Sequence, residues 1–407
     1  MRLRALDDLG DVAGKTVFLR ADLNVPLEDG KVADDARIRA TLPTIEEVLE
    51  RGAHLVIASH LGRPKGKVKE ELRMRPVRAR LEELLDREVH AIRFPGQASA
   101  ENVVTDLGEL DEGPSAPPVI ALLENLRFDA REEANDTSFA GELAGFADAY
   151  VDDAFGAAHR AHASVSALPE LMIASGRPAV AGRLLQKEVE VLSTLLEHPE
   201  KPYVAVLGGA KISDKLATIS ALSERADALL IGGAMAFTLI AAGGGQIGDS
   251  LVEPDRFEDV RRARKQAEER GVLIQLPEDI VAASGVSVDA ERSTVPADSI
   301  PKGRKGLDIG PRTVEEFART IADAHTILWN GPMGVFELEP FSAGTRGVAM
   351  AIAGAKAFSI VGGGDSLLAV KRLGLEDSFD HLSTGGGASL EFLEGKTLPG
   401  IEVLEER

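Results

Sequence analysis

The chain has 407 residues, too many for one ordinary hydrophobic core, so its length predicts two domains. At 44% apolar and 28% charged it has the makeup of a globular protein. Its 66 acidic against 46 basic residues give a net charge of −20, a surface that repels nucleic acid and anionic membranes. Without cysteine there is no disulfide, thiol catalysis or Cys-based zinc site, and the eight histidines form no HExxH pattern.

Residues 1–4 run into Asp7 and Asp8 without the apolar stretch of a secretion signal. No apolar run reaches membrane-spanning length, so a cytoplasmic protein is expected. Residues 17–19, 55–58, 119–123 and 150–151 come next and read as buried strands. In the second half 203–207, 228–231, 272–274, 326–329 and 357–361 do the same. Between them lie amphipathic helices, with Val77, Leu81, Leu84 and Leu85 on one face, and Leu185, Val189, Leu192 and Leu196 on another. Strands alternating with helices predict an α/β fold of parallel sheets covered on both faces. The helix over 184–196 is expected to connect two lobes, and residues 113–118, rich in Pro and small side chains, to form a surface loop.

The strand ends differ between the two halves. In the first, the strands lead into RADLNVP (20–26), SHLGRPKG (59–66), ENLRF (124–128) and DDAFGAAHRAH (152–162). These segments, with Arg37 close behind the first, carry Arg37, Arg63, Arg127, Arg160, His60, His159 and His162. Ligands of open α/β sheets gather at the carboxyl ends of strands. Arg forks suit carboxylate and phosphate, so a small molecule bearing both is the expected guest, with Asp22 and Asn24 holding its hydroxyls. Taken singly, each Arg is better explained as a surface or ion-paired residue, and it is the four strand ends of the same character that argue against this.

In the second half the strands lead into GGAKISDK (208–215), GGAMAF (232–237), NGPMGVFE (330–337) and GGGDS (362–366). Glycines let backbone N–H groups approach phosphate oxygens, and a helix starting at Asp365 points its positive end at an anion. Tight turns explain any one of these glycines as well. Lys211 and Lys215, four apart, are expected on one helix face, and Asp365 is placed to hold Mg²⁺ with nucleotide phosphates. Neither GxxxxGK[ST] nor GxGxxG is present, which argues against a P-loop enzyme, a protein kinase and the usual dinucleotide fold.

These segments, with LDIGP (307–311) and STGGGASLEFLEGKTLPG (383–400), resemble the motifs of the phosphoglycerate kinase family, in the family's order and over nearly the whole chain. The resemblance implies two Rossmann-like lobes with parallel sheets, three-layer α/β/α, in a hinge-bending kinase. Residues 1–180 would form an N-terminal 3-phosphoglycerate-binding domain to which 390–407 return, and 181–389 a C-terminal nucleotide-binding domain. It implies a glycerate site of Asp22, Asn24, Arg37, His60, Leu61, Gly62, Arg63, Arg127 and Arg160. It implies a nucleotide site of Gly209, Lys215, Gly232, Gly233, Gly306, Asn330, Glu337, Gly362, Gly363, Gly364, Asp365 and Ser366, with Glu337 on the ribose and Asp365 on Mg²⁺. Arg37, Lys211, Gly363 and Gly364 would serve the transferring phosphoryl group. ATP or ADP with Mg²⁺, small-molecule substrates, neither nucleic acid nor membrane, and a monomer are what the family implies. Leu23 stands where the family often has Phe, and Ser366 where Thr is also found.

The acceptor carboxylate is ionised at neutral pH, so no general base is expected, and His159 and His162 are read as structural. Hinge closure is expected at 184–196 and 382–387. Three rival readings remain. An acetate or carbamate kinase would need fewer cations; a phosphosugar-binding protein would not need Lys211 and Asp365; a nicotinamide dehydrogenase would need GxGxxG.

Overall fold

The computed structural model describes residues 2–92 and 117–406, so residues 113–116 of the expected surface loop lie outside the described residues. The chain divides into two units, 1–190 with 397–407, and 191–396. Both divisions fall later in the chain than the sequence-based boundaries, the first of them inside the helix Arg183–Glu197.

The first unit is built on a parallel sheet of six strands: β1 (Thr16–Ala21), β2 (His54–Ala58), β3 (His90–Ile92), β4 (Ile120–Leu123), β5 (Ala149–Asp153) and β6 (Ala179–Ala181). Their order is β3-β4-β2-β1-β5-β6. Leu19 pairs with both Ile57 and Val151, and Ile57 pairs with Leu122, so β1, β2, β4 and β5 end side by side. Every residue of β4 and β5 is buried, which in a pleated strand requires cover on both faces. That cover makes the unit a three-layer α/β/α fold.

The second unit repeats the plan with β7 (Tyr203–Leu207), β8 (Ala228–Ile231), β9 (Leu273–Gln275), β10 (Thr326–Asn330), β11 (Phe358–Gly362) and β12 (His381–Leu382), ordered β9-β8-β7-β10-β11-β12. Leu207 pairs with Ile231 and Asn330, and Asn330 with Gly362, so the four glycine-rich loops leave from one edge. An antiparallel trio, Asp279–Ala283, Arg292–Pro296 and Lys305–Ile309, adds a wall that the sequence pattern does not announce. The strand Arg292–Pro296 is exposed along most of its length and so lacks the apolar run of a buried strand.

Aliphatic side chains fill the first core and dominate the second, where Phe237, Phe317, Trp329, Phe336 and Phe379 join them. The helix Arg75–Leu85 buries Val77 and Leu81, while Leu84 and Leu85 pack at the margin. Along Arg183–Glu197 the buried apolar side chains are Leu185, Val189, Leu192 and Leu195; Leu195 replaces the expected Leu196, because a three-residue step from Leu192 stays closer to the stripe.

Candidate active site

On the first sheet's crest the loops after β1, β2 and β4 are laced together. Gly62 donates its N–H to Asn24 Oδ1 at 2.8 Å, and its carbonyl accepts from Arg127 Nη1 at 3.0 Å. Leu23 N–H donates to Ser59 Oγ at 2.9 Å. Buried Asn125 is fully engaged: Oδ1 accepts from the N–H groups of Leu61 (3.2 Å) and Arg127 (3.1 Å), and Nδ2 donates to the carbonyls of Leu61 (2.7 Å) and Leu72 (3.0 Å). Arg37, in the first turn of the helix Ala36–Glu50, donates to Asp22 Oδ2 at 2.6 Å.

His60 is buried and held well below the ordinary histidine value, first by burial, then by Arg20, Arg127 and Arg37. Arg37 and Arg127 thus act on the ring through their charge. Arg160 is exposed but close enough to help push His162 down to about 4, behind burial and the charges of Arg127 and Arg20. Arg63 is exposed and joins the group through its chain neighbour Gly62. The crest thus gathers cations, neutral imidazoles and the acceptors Asp22 and Asn24 at one sheet edge. An anion with a hydroxyl fits that chemistry.

The second sheet's crest opens into two adjoining cavities. The first, of about 480 Å³, is lined by Gly208, Gly209, Lys211, Lys215, Asn330, and Gly363 to Ser366, with Gly386, Gly387 and Leu390 on a further side. Gly363 has φ +90°, a conformation that side chains other than glycine rarely adopt, and leads into the helix Gly364–Leu373. That helix start aims its free N–H groups at the cavity. A Cβ on Gly208 would meet the Pro332 carbonyl at 2.1 Å, so only glycine lets β7 and β10 end this close together.

Lys215 Nζ donates to Asn330 Oδ1, and its burial lowers its pKa against the pull of Asp214, Glu394 and Asp365. Ser366 Oγ, fully buried, accepts the Gly331 N–H at 2.6 Å. Trp329, also fully buried, donates its indole N–H to the Gly331 carbonyl at 2.8 Å.

Lys211 and Lys215 do not share a helix face, contrary to expectation. Residues 208–215 form a loop and turn, and the helix Leu216–Leu222 begins after Lys215. Lys211 lies before the single turn that Leu216 closes by donating to the Ile212 carbonyl at 3.0 Å, and Glu253 takes the Ser213 N–H at 3.0 Å. Both lysines still line the same cavity.

The second cavity, of about 710 Å³, shares Gly209, Ala210, Pro332 and Asp365 with the first. Its walls include Gly233, Phe237, Leu251, Val286, Gly306, Leu307 and Met333, with Glu337 at the margin. An apolar slot leading to a glycine-lined, cation-bearing cradle suits a planar base followed by phosphates. Gly232 and Gly362 lie beneath these walls: Gly232 packs on Met333, and Gly362 pairs with Asn330. Among the described residues no group of three or more His, Asp or Glu side chains could hold a metal by itself.

Sequence reasoning missed Arg20, Asn125, Glu132 and Ser164, all buried beneath the first crest, and the apolar slot of the second. The signal for Arg20 was present, as a charged residue inside an otherwise apolar strand. The slot draws on several distant segments and has no local signature.

Comparison with known proteins came out consistently. The family model described as Phosphoglycerate kinase matches residues 6–396. A phosphoglycerate kinase of Salinispora tropica is 53% identical over 100% of both chains. The solved phosphoglycerate kinase of Coxiella burnetii superposes with a TM-score of 0.86 at 40% identity, covering 99% of each chain. That of Pyrococcus horikoshii gives 0.82 at 34%, covering 99% of this chain and 98% of the other.

Proposed function

This chain belongs to the phosphoglycerate kinase family, and we propose how its own residues carry that family's reaction, reversible phosphoryl transfer between ATP and the carboxylate of 3-phosphoglycerate. The observation that carries the assignment of sites is the pair of chemically distinct crests, guanidinium groups on the first sheet and glycine amides with two lysines on the second.

On the first crest Arg63, Arg127 and Arg160 bind the phosphate of 3-phosphoglycerate. Asp22 and Asn24 hold its hydroxyl, with His60 as a neutral donor and Leu61 and Gly62 shaping the loop. Arg37 stands over the carboxylate. On the second crest the apolar slot takes the base, Glu337 the ribose, and Lys215 with the amides from Gly363 to Ser366 the phosphates. Asp365 fits Mg²⁺, whose preference is one or two carboxylates plus nucleotide phosphates. When bound, that ion neutralises phosphate charge. The attacking carboxylate needs no base. Catalysis rests on positioning and on Arg37, Lys211 and the Gly363 and Gly364 amides, which stabilise charge on the transferring group. Small-molecule substrates and a monomeric enzyme complete this reading. No helix among the described residues is long and apolar enough to cross a membrane.

A substrate panel in a coupled ADP assay tests the assignment. Turnover with ATP and 3-phosphoglycerate, with acetate and carbamate inactive, is the expected result. Equal turnover of acetate would remove the glycerate role from the first crest.

A further inference from the structure

Arg20 sits in β1 with its side chain fully buried, and the transfer reaction leaves it without a task. A guanidinium only donates hydrogen bonds, and it keeps its charge at any working pH. Its donors here have definite ends. Nε donates to Ser164 Oγ at 2.8 Å, Nη1 to the Ala21 carbonyl, and Nη2 faces His60 Nδ1 at 3.1 Å.

Because Arg20 cannot accept, His60 Nδ1 must do so, and the proton of the neutral ring is left on Nε2. The same logic runs the other way at Ser164. Its hydroxyl accepts from Arg20 and so directs its own proton to Glu132 Oε1, 2.6 Å away, while Glu132 Oε2 takes the Ser164 N–H at 3.0 Å. Glu132 is itself buried and supplies the opposite charge that a buried guanidinium requires. Tyr150 fixes the other side of Ser164, donating its hydroxyl to the Ser164 carbonyl at 2.8 Å. The network therefore has one direction, set entirely by which groups can only donate.

We propose that Arg20, braced by Ser164 and Glu132, is a positioning residue of the 3-phosphoglycerate site that locks His60 as its Nε2–H tautomer. The ring then meets an anionic oxygen as a donor; the other tautomer would turn a lone pair toward it. The groups facing His60 are Arg20, Arg37, Arg127 and His162, and together with burial they keep the ring neutral. The inference rests on the reading of His60 as a ligand contact.

The test uses the full chain with ¹⁵N-labelled histidine, the His60 signals being identified by their loss in His60→Gln. The lock predicts an unprotonated Nδ1 and a protonated Nε2 from about pH 6 to about pH 8. A protonated Nδ1 would overturn it. Addition of 3-phosphoglycerate is expected to shift the Nε2 signal. Unmoved signals would overturn the ligand-contact reading, which separates that failure from failure of the lock. In kinetics, Arg20→Met is expected to raise KM for 3-phosphoglycerate about tenfold to a hundredfold, the range for losing a hydrogen bond to a charged group, with KM for MgATP unchanged. Arg20→Lys keeps a donor and is expected to recover part of that loss. An equal rise in both KM values would mark a merely structural role and overturn the proposal. Should Arg20→Met fail to fold, the parent spectrum still decides the tautomer.

Discussion

Arg37 and Asp22 form an ion pair of 2.6 Å in which the carboxylate is nearly buried while a third of the guanidinium side chain stays open. The pair fixes one edge of the fork. Asp22 thus holds Arg37 in an aimed position, so less side-chain entropy is lost when a ligand arrives. The helix Ala36–Glu50 adds to this by placing Arg37 in its first turn, where the backbone is already fixed.

Arg37→Ala is expected to lower kcat by about a thousandfold or more, the low end for an arginine that stabilises a transferring phosphoryl group. Steady-state kinetics with both substrates saturating checks this. A kcat within about tenfold of the parent would assign Arg37 to binding alone.

Lys215→Ala is expected to weaken MgADP binding about tenfold to a hundredfold, as for loss of a charged hydrogen-bond donor, and to leave 3-phosphoglycerate binding intact. Calorimetric titration of each ligand separates the two. Unchanged MgADP affinity would take Lys215 out of the phosphate cradle, leaving its bond to Asn330 as its role.

Gly363→Ala places a Cβ on a residue with φ +90° and 3.2 Å from Asn330 Nδ2. The backbone strain is about 1–3 kcal/mol. Chemical denaturation should show that loss, and MgADP affinity should fall with it as the turn shifts. Full stability with parent affinity would mean that the turn does not need its left-handed conformation.

Asp308 gives a pH signature. It is buried, which pushes it up to about 7, against two N–H donors, Gly344 to Oδ2 at 2.7 Å and Ile309 to Oδ1 at 2.9 Å. Its unfolded value is near 3.8. Between those values the native state binds the proton that the unfolded chain has lost, so its contribution is present at low pH and is lost as pH rises toward 7. Asp308→Asn should therefore flatten the fall in stability between about pH 4 and about pH 7, read from urea denaturation at each pH. An unaltered pH dependence would place the titration elsewhere, Asp152 and Asp153 being the buried alternatives at about 7.

Much of this was legible in the sequence for a physical reason. A strand buried on both faces must be a short unbroken apolar run, so most strands of both sheets announced themselves to within a residue or two. The chemistry sits where those runs stop, so RADLNVP, SHLGRPKG and the glycine turns were visible as strand ends. Lys211 and Lys215 were misplaced because a spacing of four suggests a helix, and nothing local reveals that the helix begins only after Lys215. The apolar slot stayed hidden for a similar reason: Phe237, Leu251, Val286, Leu307 and Met333 become neighbours only through tertiary packing. Arg20 lies within a legible motif, yet adjacency to Asp22 says nothing about which way its side chain turns.

The chain contains a single tryptophan, Trp329, and it lies in β10 beside Asn330, which accepts from the Lys215 ammonium, with Gly331 hydrogen-bonded to its indole. Tryptophan fluorescence therefore comes from one fixed indole set next to the proposed phosphate cradle. Occupancy of that cradle can be followed by emission from the unlabelled protein, and any change reports on one location with no second indole to blur it.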